Sequence, residues 1–209
     1  MTLKDDLIAQ LAEVGRDAVG RRLVAASGGN VSARLDDGTF IVTRTGSWLD
    51  RLTADDFCVI STETGEKVSG QQPSSEYLLH LRVYQERPDV GSVIHLHQQM
   101  TVLVDALGLE VKPLTMDQAH YLRRIGRMGF FPNASVELGD AAGEAARTTN
   151  AIVMAHHGAA TLGDTPDMAF RRALNLEEAA AASYYAHLAG QTGLAFPADG
   201  ELPAHSGVV

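Results

Sequence analysis

The chain of 209 residues contains one cysteine, Cys58, so no intramolecular disulfide can staple it. Cys58 lies in the apolar run Phe57-Cys58-Val59-Ile60 and reads as an inert buried thiol. No apolar run is long enough to cross a membrane. Met1 to Leu11 reads as an amphipathic helix carrying Lys4, Asp5 and Asp6, not as a secretory leader. These absences point to a reducing cytoplasm. Cations are also scarce: 17 Lys and Arg stand against 26 Asp and Glu, a formal net charge of −9. That excludes the basic surface on which nonspecific nucleic-acid binding depends. It does not exclude a small anionic substrate, which a few positioned donors can hold. There is no internal repeat, no low-complexity linker, no P-loop and no Rossmann fingerprint.

What is present suits one compact domain over residues 1–209, with a 45% hydrophobic fraction sufficient for its core. Thr2 to about Val24 carries Leu3, Leu7, Leu11, Val14 and Ala18 at helical spacing, with Thr2 as its cap. Val31–Arg34 and Thr39–Thr43 alternate like a hairpin around Asp36-Asp37-Gly38. Asp56–Thr62 reads as a strand. Ser74–Glu86 reads as a helix with Tyr77, Leu78, Leu81 and Tyr84 on one face, stopped by Pro88. Val90–His97 is a strand. Leu114 to about Arg127 is a helix with Met116, Ala119, Leu122 and Ile125 inward. Asp140–Thr149 is an Ala-rich helix and Ala151–His157 a short apolar strand. The last helix has Thr165 as cap and Pro166 at its first position, and runs to Gly190. Strands in early hairpins with flanking helices predict an α/β sandwich with a mixed or antiparallel sheet. The Pro-, Gly- and Ala-rich segment 195–209 reads as a flexible tail.

Eight histidines include two tight pairs. His95 and His97 are two apart on a strand, so both imidazoles face one side and can chelate one ion. The plain alternative is a pair of satisfied polar residues at a strand end. Ala151-Ile-Val-Met-Ala-His-His-Gly158 ends an apolar strand in two further histidines; periodicity alone leaves open whether His156 or His157 faces a metal. Glu76 has a plain reading, a carboxylate favoured by a helix dipole, and a chemical one, a ligand or acid/base beside the histidines. Three segments look like an anion cradle: Ser27-Gly28-Gly29-Asn30, Thr43-Arg44-Thr45-Gly46 and Ser74-Ser75. Each places small or hydroxyl residues at a turn or helix start, where backbone N–H groups can donate.

Taken in order, Ser27-Gly-Gly-Asn-Val-Ser32, Thr43-Arg-Thr-Gly46, Pro73-Ser-Ser-Glu76, His95-Leu-His97 and His157-Gly158 followed by Gly163 resemble the class II aldolase/adducin family, from about Leu7 to Leu188. The resemblance implies a three-layer α/β/α sandwich with a central mixed, mainly antiparallel sheet. It also implies a homotetramer with sites between subunits and a divalent ion, zinc first, with Mn2+, Co2+ or Mg2+ as alternatives. It assigns the ion to His95, His97 and His157, with Glu76 as acid/base and further ligand. It assigns the substrate phosphate to Gly29, Asn30, Thr45, Gly46, Ser74 and Ser75, and makes Tyr121 the candidate assisting tyrosine. Glu rather than Asp at position 76 favours aldol cleavage of a phosphorylated ketose over epimerisation, and burial beside Tyr77 and Leu78 is expected to raise the Glu76 pKa. The segment after Tyr185 has no tyrosine, a departure from the fuculose-phosphate pattern. That departure and Met116-Asp-Gln-Ala-His120 keep decarboxylation or dehydration as rivals. A non-catalytic adducin-like module would have no need of three histidines and Glu76.

Overall fold

The computed structural model describes residues 2–35 and 38–197. In chain order the elements are helix α1 (Leu3–Gly20), strands β1 (Asn30–Arg34), β2 (Thr39–Thr43), β3 (Phe57–Ser61) and β4 (Lys67–Ser69), helix α2 (Tyr77–Glu86), strand β5 (Ser92–Leu96), helices α3 (Gln99–Ala106) and α4 (Met116–Leu122), strand β6 (Ile125–Met128), helix α5 (Val136–Ala146), strands β7 (Ala151–Met154) and β8 (Gly158–Gly163), and helix α6 (Pro166–Leu188).

Among the described residues the strands form one sheet in the order β4-β3-β2-β1-β5-β8-β7-β6. The β6–β7 pair is parallel and the other described pairs are antiparallel. Helices cover both faces, so the mixed, mainly antiparallel α/β/α sandwich is realised. The two-residue alternation of each strand divides the core. On one face Val31, Ala33, Ile41, Ile94 and Leu96 pack with Leu11, Ala18, Ala169 and Ala173 of α1 and α6. On the other, Phe40, Val42, Val93, Ile152 and Ala160 pack with Leu79, Val83, Leu138 and Ala142 of α2 and α5. A third cluster seats α3, α4 and α6 over β7 and β8 through Val104, Leu122, Val153 and Leu176.

Local signals set the element ends. The Thr2 side chain accepts the Asp5 N–H while Asp5 reaches back to the Thr2 N–H, a reciprocal cap for α1. Thr165 caps α6 by accepting the Met168 N–H at 3.1 Å, with Pro166 in the first turn. Several segments differ from their sequence expectation, and helix α3 and strand β4 were not expected at all. The helix from Leu114 stops at Leu122, where Arg123 takes a φ of 51°; Ile125 then starts an edge strand, and Met116 is 63% exposed instead of inward. Helix α5 begins at Val136, one turn ahead of the expected Asp140, because Ser135 supplies the cap. The strand β8, Gly-Ala-Ala-Thr-Leu-Gly, has one β-branched residue and no aromatic to mark it; it is held as an interior strand between β5 and β7. Residues 198–209, most of the expected tail, lie outside the described part. Before them, the Phe196 N–H donates to the Pro113 carbonyl at 2.7 Å.

Candidate functional site

The site forms where β5 ends beside the β7–β8 turn and the start of α2. His95 is opposite Asn30 of β1 and Ala160 of β8 in the sheet register, and its side chain shares the α2 face of the sheet with Val93. His97 follows one strand repeat later. A short turn joins β7 to β8. In it His156 is exposed with a φ of 56°, while His157 turns inward to meet His95 and His97. The three rings lie edge-to-face or tilted, with centroids 4.9–5.1 Å apart. Gly158 makes the approach possible: a Cβ there would stand 2.3 Å from the Leu96 carbonyl oxygen. Gly29, at a φ of 71°, would place a Cβ 2.6 Å from the His95 carbonyl oxygen, so a side chain is excluded there as well.

Glu76 occupies the N-cap position of α2 but makes no capping bond with its side chain. Its carboxylate turns instead into the histidines, with Oε2 3.3 Å from His95 Nε2 and Oε1 3.0 Å from His157 Nε2. The chemical reading of Glu76 therefore fits its placement better than the dipole reading. One donor atom from each of Glu76, His95, His97 and His157 lies within 4.8 Å of the others. Oε1 is buried and, despite its nearness to His157, meets no hydrogen-bond partner among the described residues. His95 Nε2 and His97 Nε2 face each other at 3.2 Å. An orphaned carboxylate oxygen and converging ring nitrogens are the donor set a divalent cation takes.

Electrostatics agree with that form of the site. Burial lowers His97 to about 4, aided by the charges of His95 and His157 and opposed by Glu76, so its ring is neutral at pH 7. For Glu76 the expectation of a raised pKa is overturned. Burial does push the carboxyl up, but the neighbouring His157 and His95 outweigh it and hold it well below the usual carboxylate range. Cys58, buried and pushed up to about 11 by desolvation, stays a thiol away from this chemistry.

The cradle segments assemble around Glu76. Residues Arg44 and Pro73 form an isolated β-bridge, the Thr45 N–H donates to Gln72 O at 3.0 Å, and the Ser74 N–H donates to Thr43 O at 2.9 Å. The Ser74 hydroxyl accepts the Glu76 N–H at 3.3 Å. Thr45, Gly46 and Ser75 are exposed, Gly29 is half-buried, and Asn30 and Ser74 are buried. Asn30 has another engagement: its Nδ2 donates to Glu76 Oε2 at 2.9 Å and its Oδ1 meets His80 Nε2 at 2.5 Å. Tyr121 is not brought to this cluster. It lies on α4, its carbonyl accepting from Arg172 Nε at 3.1 Å and its ring packed edge-on against His120. Sequence reasoning passed over His80, although Glu76, His80 and Tyr84 stand four apart on a helix whose inward face is otherwise apolar, a pattern that marks buried polar groups.

Residues 9–184 match the family described as the class II aldolase and adducin N-terminal domain. The chain belongs to this family. With that membership comes the expected aldolase type of carbon–carbon lyase, a divalent-metal-dependent class. The chain is 32% identical over 178 residues to an L-fuculose phosphate aldolase of Methanococcus maripaludis, covering 85% of this chain and 96% of the relative. It is 31% identical over 180 residues to a 3-oxo-tetronate 4-phosphate decarboxylase of Pectobacterium atrosepticum, covering 82% and 81%. The crystal structure of L-fuculose-1-phosphate aldolase from Thermus thermophilus superposes with a TM-score of 0.80 at 28% identity, over 91% of this chain and 98% of that one. No helix among the described residues is long and apolar enough to cross a membrane.

Proposed function

We propose that this family member is a metal-dependent aldolase that cleaves or forms a phosphorylated ketose of the L-fuculose 1-phosphate type, giving dihydroxyacetone phosphate and an aldehyde. The observation that carries this reading is the turning of the Glu76 carboxylate away from its own helix end and into the three imidazoles, directly beside the hydroxyl-rich segments 43–46 and 73–75. Three imidazoles and one carboxylate favour zinc, with Mn2+, Co2+ or Mg2+ as substitutes. When bound, the ion supplies Lewis-acid stabilisation of the negative charge that grows on the substrate's carbonyl and neighbouring hydroxyl oxygens as the carbon–carbon bond breaks.

The chain's own residues do the rest. His95, His97 and His157 hold the ion as neutral donors. Glu76, kept ionised by its surroundings, takes a proton from the carbon next to the carbonyl in the direction of synthesis and returns it in the direction of cleavage. Gly29, Asn30, Thr45, Gly46, Ser74 and Ser75 receive the phosphate through N–H and hydroxyl donors, which suits an acidic protein with few free cations. The whole chain acts as one such domain in a cytoplasmic homotetramer with its sites between subunits. Tyr121, remote from its own cluster, fits this scheme only as a contribution to a neighbouring subunit's site.

A second reading has support in the decarboxylase relative. Loss of CO2 from a 3-oxo acid phosphate also leaves an enolate that the same residues would serve. Incubating the metal-loaded enzyme with dihydroxyacetone phosphate and a panel of aldehydes, beside a CO2-release assay on 3-oxo-tetronate 4-phosphate and other keto-acids, separates the two. Aldol product without CO2 release is the expected result; CO2 release without aldol product overturns it. Glu76→Gln should lower turnover by roughly 10²–10⁴-fold in either case.

A further inference from the structure

Behind the carboxylate lies a row of buried polar side chains that belongs to two elements at once. Glu76, His80 and Tyr84 recur every four residues along α2, and Asn30 and Ser32 recur every two along β1. Four helical residues climb about 6 Å and two strand residues about 6.7 Å, so the rows stay in step and interleave. The order is Glu76, Asn30, His80, Ser32, Tyr84. The contacts are 2.9 Å from Asn30 Nδ2 to Glu76 Oε2, 2.5 Å from His80 Nε2 to Asn30 Oδ1, 2.7 Å from Ser32 Oγ to His80 Nδ1 and 2.7 Å from Tyr84 Oη to Ser32 Oγ. All five side chains are buried.

The direction of every bond follows from one end. An ionised carboxylate only accepts, so Asn30 presents its amide N–H to Oε2 and its carbonyl oxygen to His80. His80 must then carry its hydrogen on Nε2, which leaves Nδ1 to accept from the Ser32 hydroxyl. The Ser32 oxygen accepts in turn from the Tyr84 hydroxyl. Burial lowers His80 to about 3 and pushes the Tyr84 phenol up, so both are neutral near pH 7. Every donor in the row points toward Glu76.

We propose that His80, acting through Asn30, is a positioning residue for Glu76: the row pins Oε2 and leaves Oε1 as the oxygen that exchanges the proton with substrate. This rests on the reading of Glu76 as acid/base. Oε1, which faces His157 Nε2 at 3.0 Å, is the carboxylate oxygen without a hydrogen-bond partner, whereas Oε2 receives the Asn30 N–H at 2.9 Å. Since Asn30 spends one N–H on Glu76, a single N–H remains for any phosphate it meets. A row serving only to pack α2 on the sheet would not care which carboxylate oxygen is free.

The test uses metal-loaded enzyme and the exchange of a carbon-bound hydrogen of dihydroxyacetone phosphate in deuterated water. His80→Leu removes the donor to Asn30 while filling the space; His80→Gln restores an N–H near the position of Nε2. His80→Leu is expected to bind metal and lose roughly 10–100-fold in the exchange kcat with KM little changed, and His80→Gln to recover most of the loss. A folded, metal-loaded His80→Leu that exchanges at the wild-type rate, or one that changes KM alone, overturns the proposal. Exchange by Glu76→Gln at the wild-type rate strikes the acid/base reading instead, which sets the two failures apart. If His80→Leu does not fold, or the wild type exchanges nothing, 15N spectra of the histidine-labelled wild-type protein decide. A neutral His80 ring with its hydrogen on Nε2 supports the row as described. An Nδ1–H ring or an imidazolium at neutral pH overturns it.

Discussion

His95 Nδ1 lies 3.0 Å from the carbonyl oxygen of Ala159. A carbonyl can only accept, so Nδ1 of His95 carries a hydrogen and Nε2 is the nitrogen that faces Glu76 and His97, the one left to give a lone pair when a metal is bound. The sheet itself, through the β5–β8 pairing, thus selects the tautomer a metal needs.

Metal binding should follow the cluster and not the sequence neighbourhood. His95→Ala, His97→Ala and His157→Ala are expected to weaken zinc binding by about tenfold to a hundredfold or more. His156→Ala, altering an exposed turn residue, should leave it nearly intact. Titration of metal-free protein with zinc, with the metal content checked by elemental analysis, reads the difference. Loss of metal in His156→Ala with retention in His157→Ala would reverse the assignment of the third ligand.

Gly158→Ala tests the close approach of β8 to β5. The added Cβ would stand 2.3 Å from the Leu96 carbonyl oxygen and 3.2 Å from the His97 ring, so one strand must shift. Destabilisation of roughly 1–3 kcal/mol is expected, read from urea unfolding, together with weaker metal binding as His97 is displaced. An unfolding midpoint equal to wild type would show that the strands have room to spare.

The phosphate cradle predicts a loss of affinity without a loss of rate. Thr45→Val and Ser75→Ala remove exposed hydroxyls whose absence should disturb the fold little. Each lost bond to a charged phosphate should cost about 1.5–3 kcal/mol, falling on KM because the phosphate is remote from the reacting carbon. Steady-state kinetics on a phosphorylated and an unphosphorylated ketose makes the comparison. Equal turnover of both substrates would remove the cradle from the mechanism.

The metal-free protein should lose stability on acidification in a window set by its buried histidines. Their folded-state values, about 4 for His97 and about 3 for His80, lie below the ordinary 6.5. The unfolded chain therefore binds protons first as the pH falls. Stability from these two groups is complete above about pH 6.5 and is lost as the pH drops toward about 3. Glu76, whose value is also lowered, adds to the loss at the acid end. Urea midpoints should be level from about pH 7.5 to 6.5 and decline from there toward pH 4, and His80→Gln should flatten part of that decline. A flat profile in the wild type would contradict the burial argument.

The proposed assembly would draw on α6, where Tyr185 is 65% and Leu188 63% exposed. Burying such apolar groups between copies is the expected outcome. Sedimentation at micromolar concentration should show a tetramer, and Leu188→Arg should shift it toward smaller species. A wild-type monomer would refute the oligomer.

Sequence alone carried the helix caps at Thr2 and Thr165, the alternating strands β1 and β2, the apolar run of β3, and the candidates Glu76, His95 and His97, because each rests on spacing, capping or composition within a few residues. It could not place β8, whose glycines and alanines show no strand pattern until β5 and β7 flank them. Nor could it end α4 at Leu122, since the edge of β7 draws Ile125 into parallel pairing. Periodicity left His156 and His157 equal; the left-handed backbone at His156 turns one outward and the other in. The raised pKa expected for Glu76 followed from burial, but the two histidines that reverse it arrive from β5 and the β7–β8 turn, far along the chain. The partnership of Asn30 with His80 likewise exists only once α2 lies on β1 with their repeats in step.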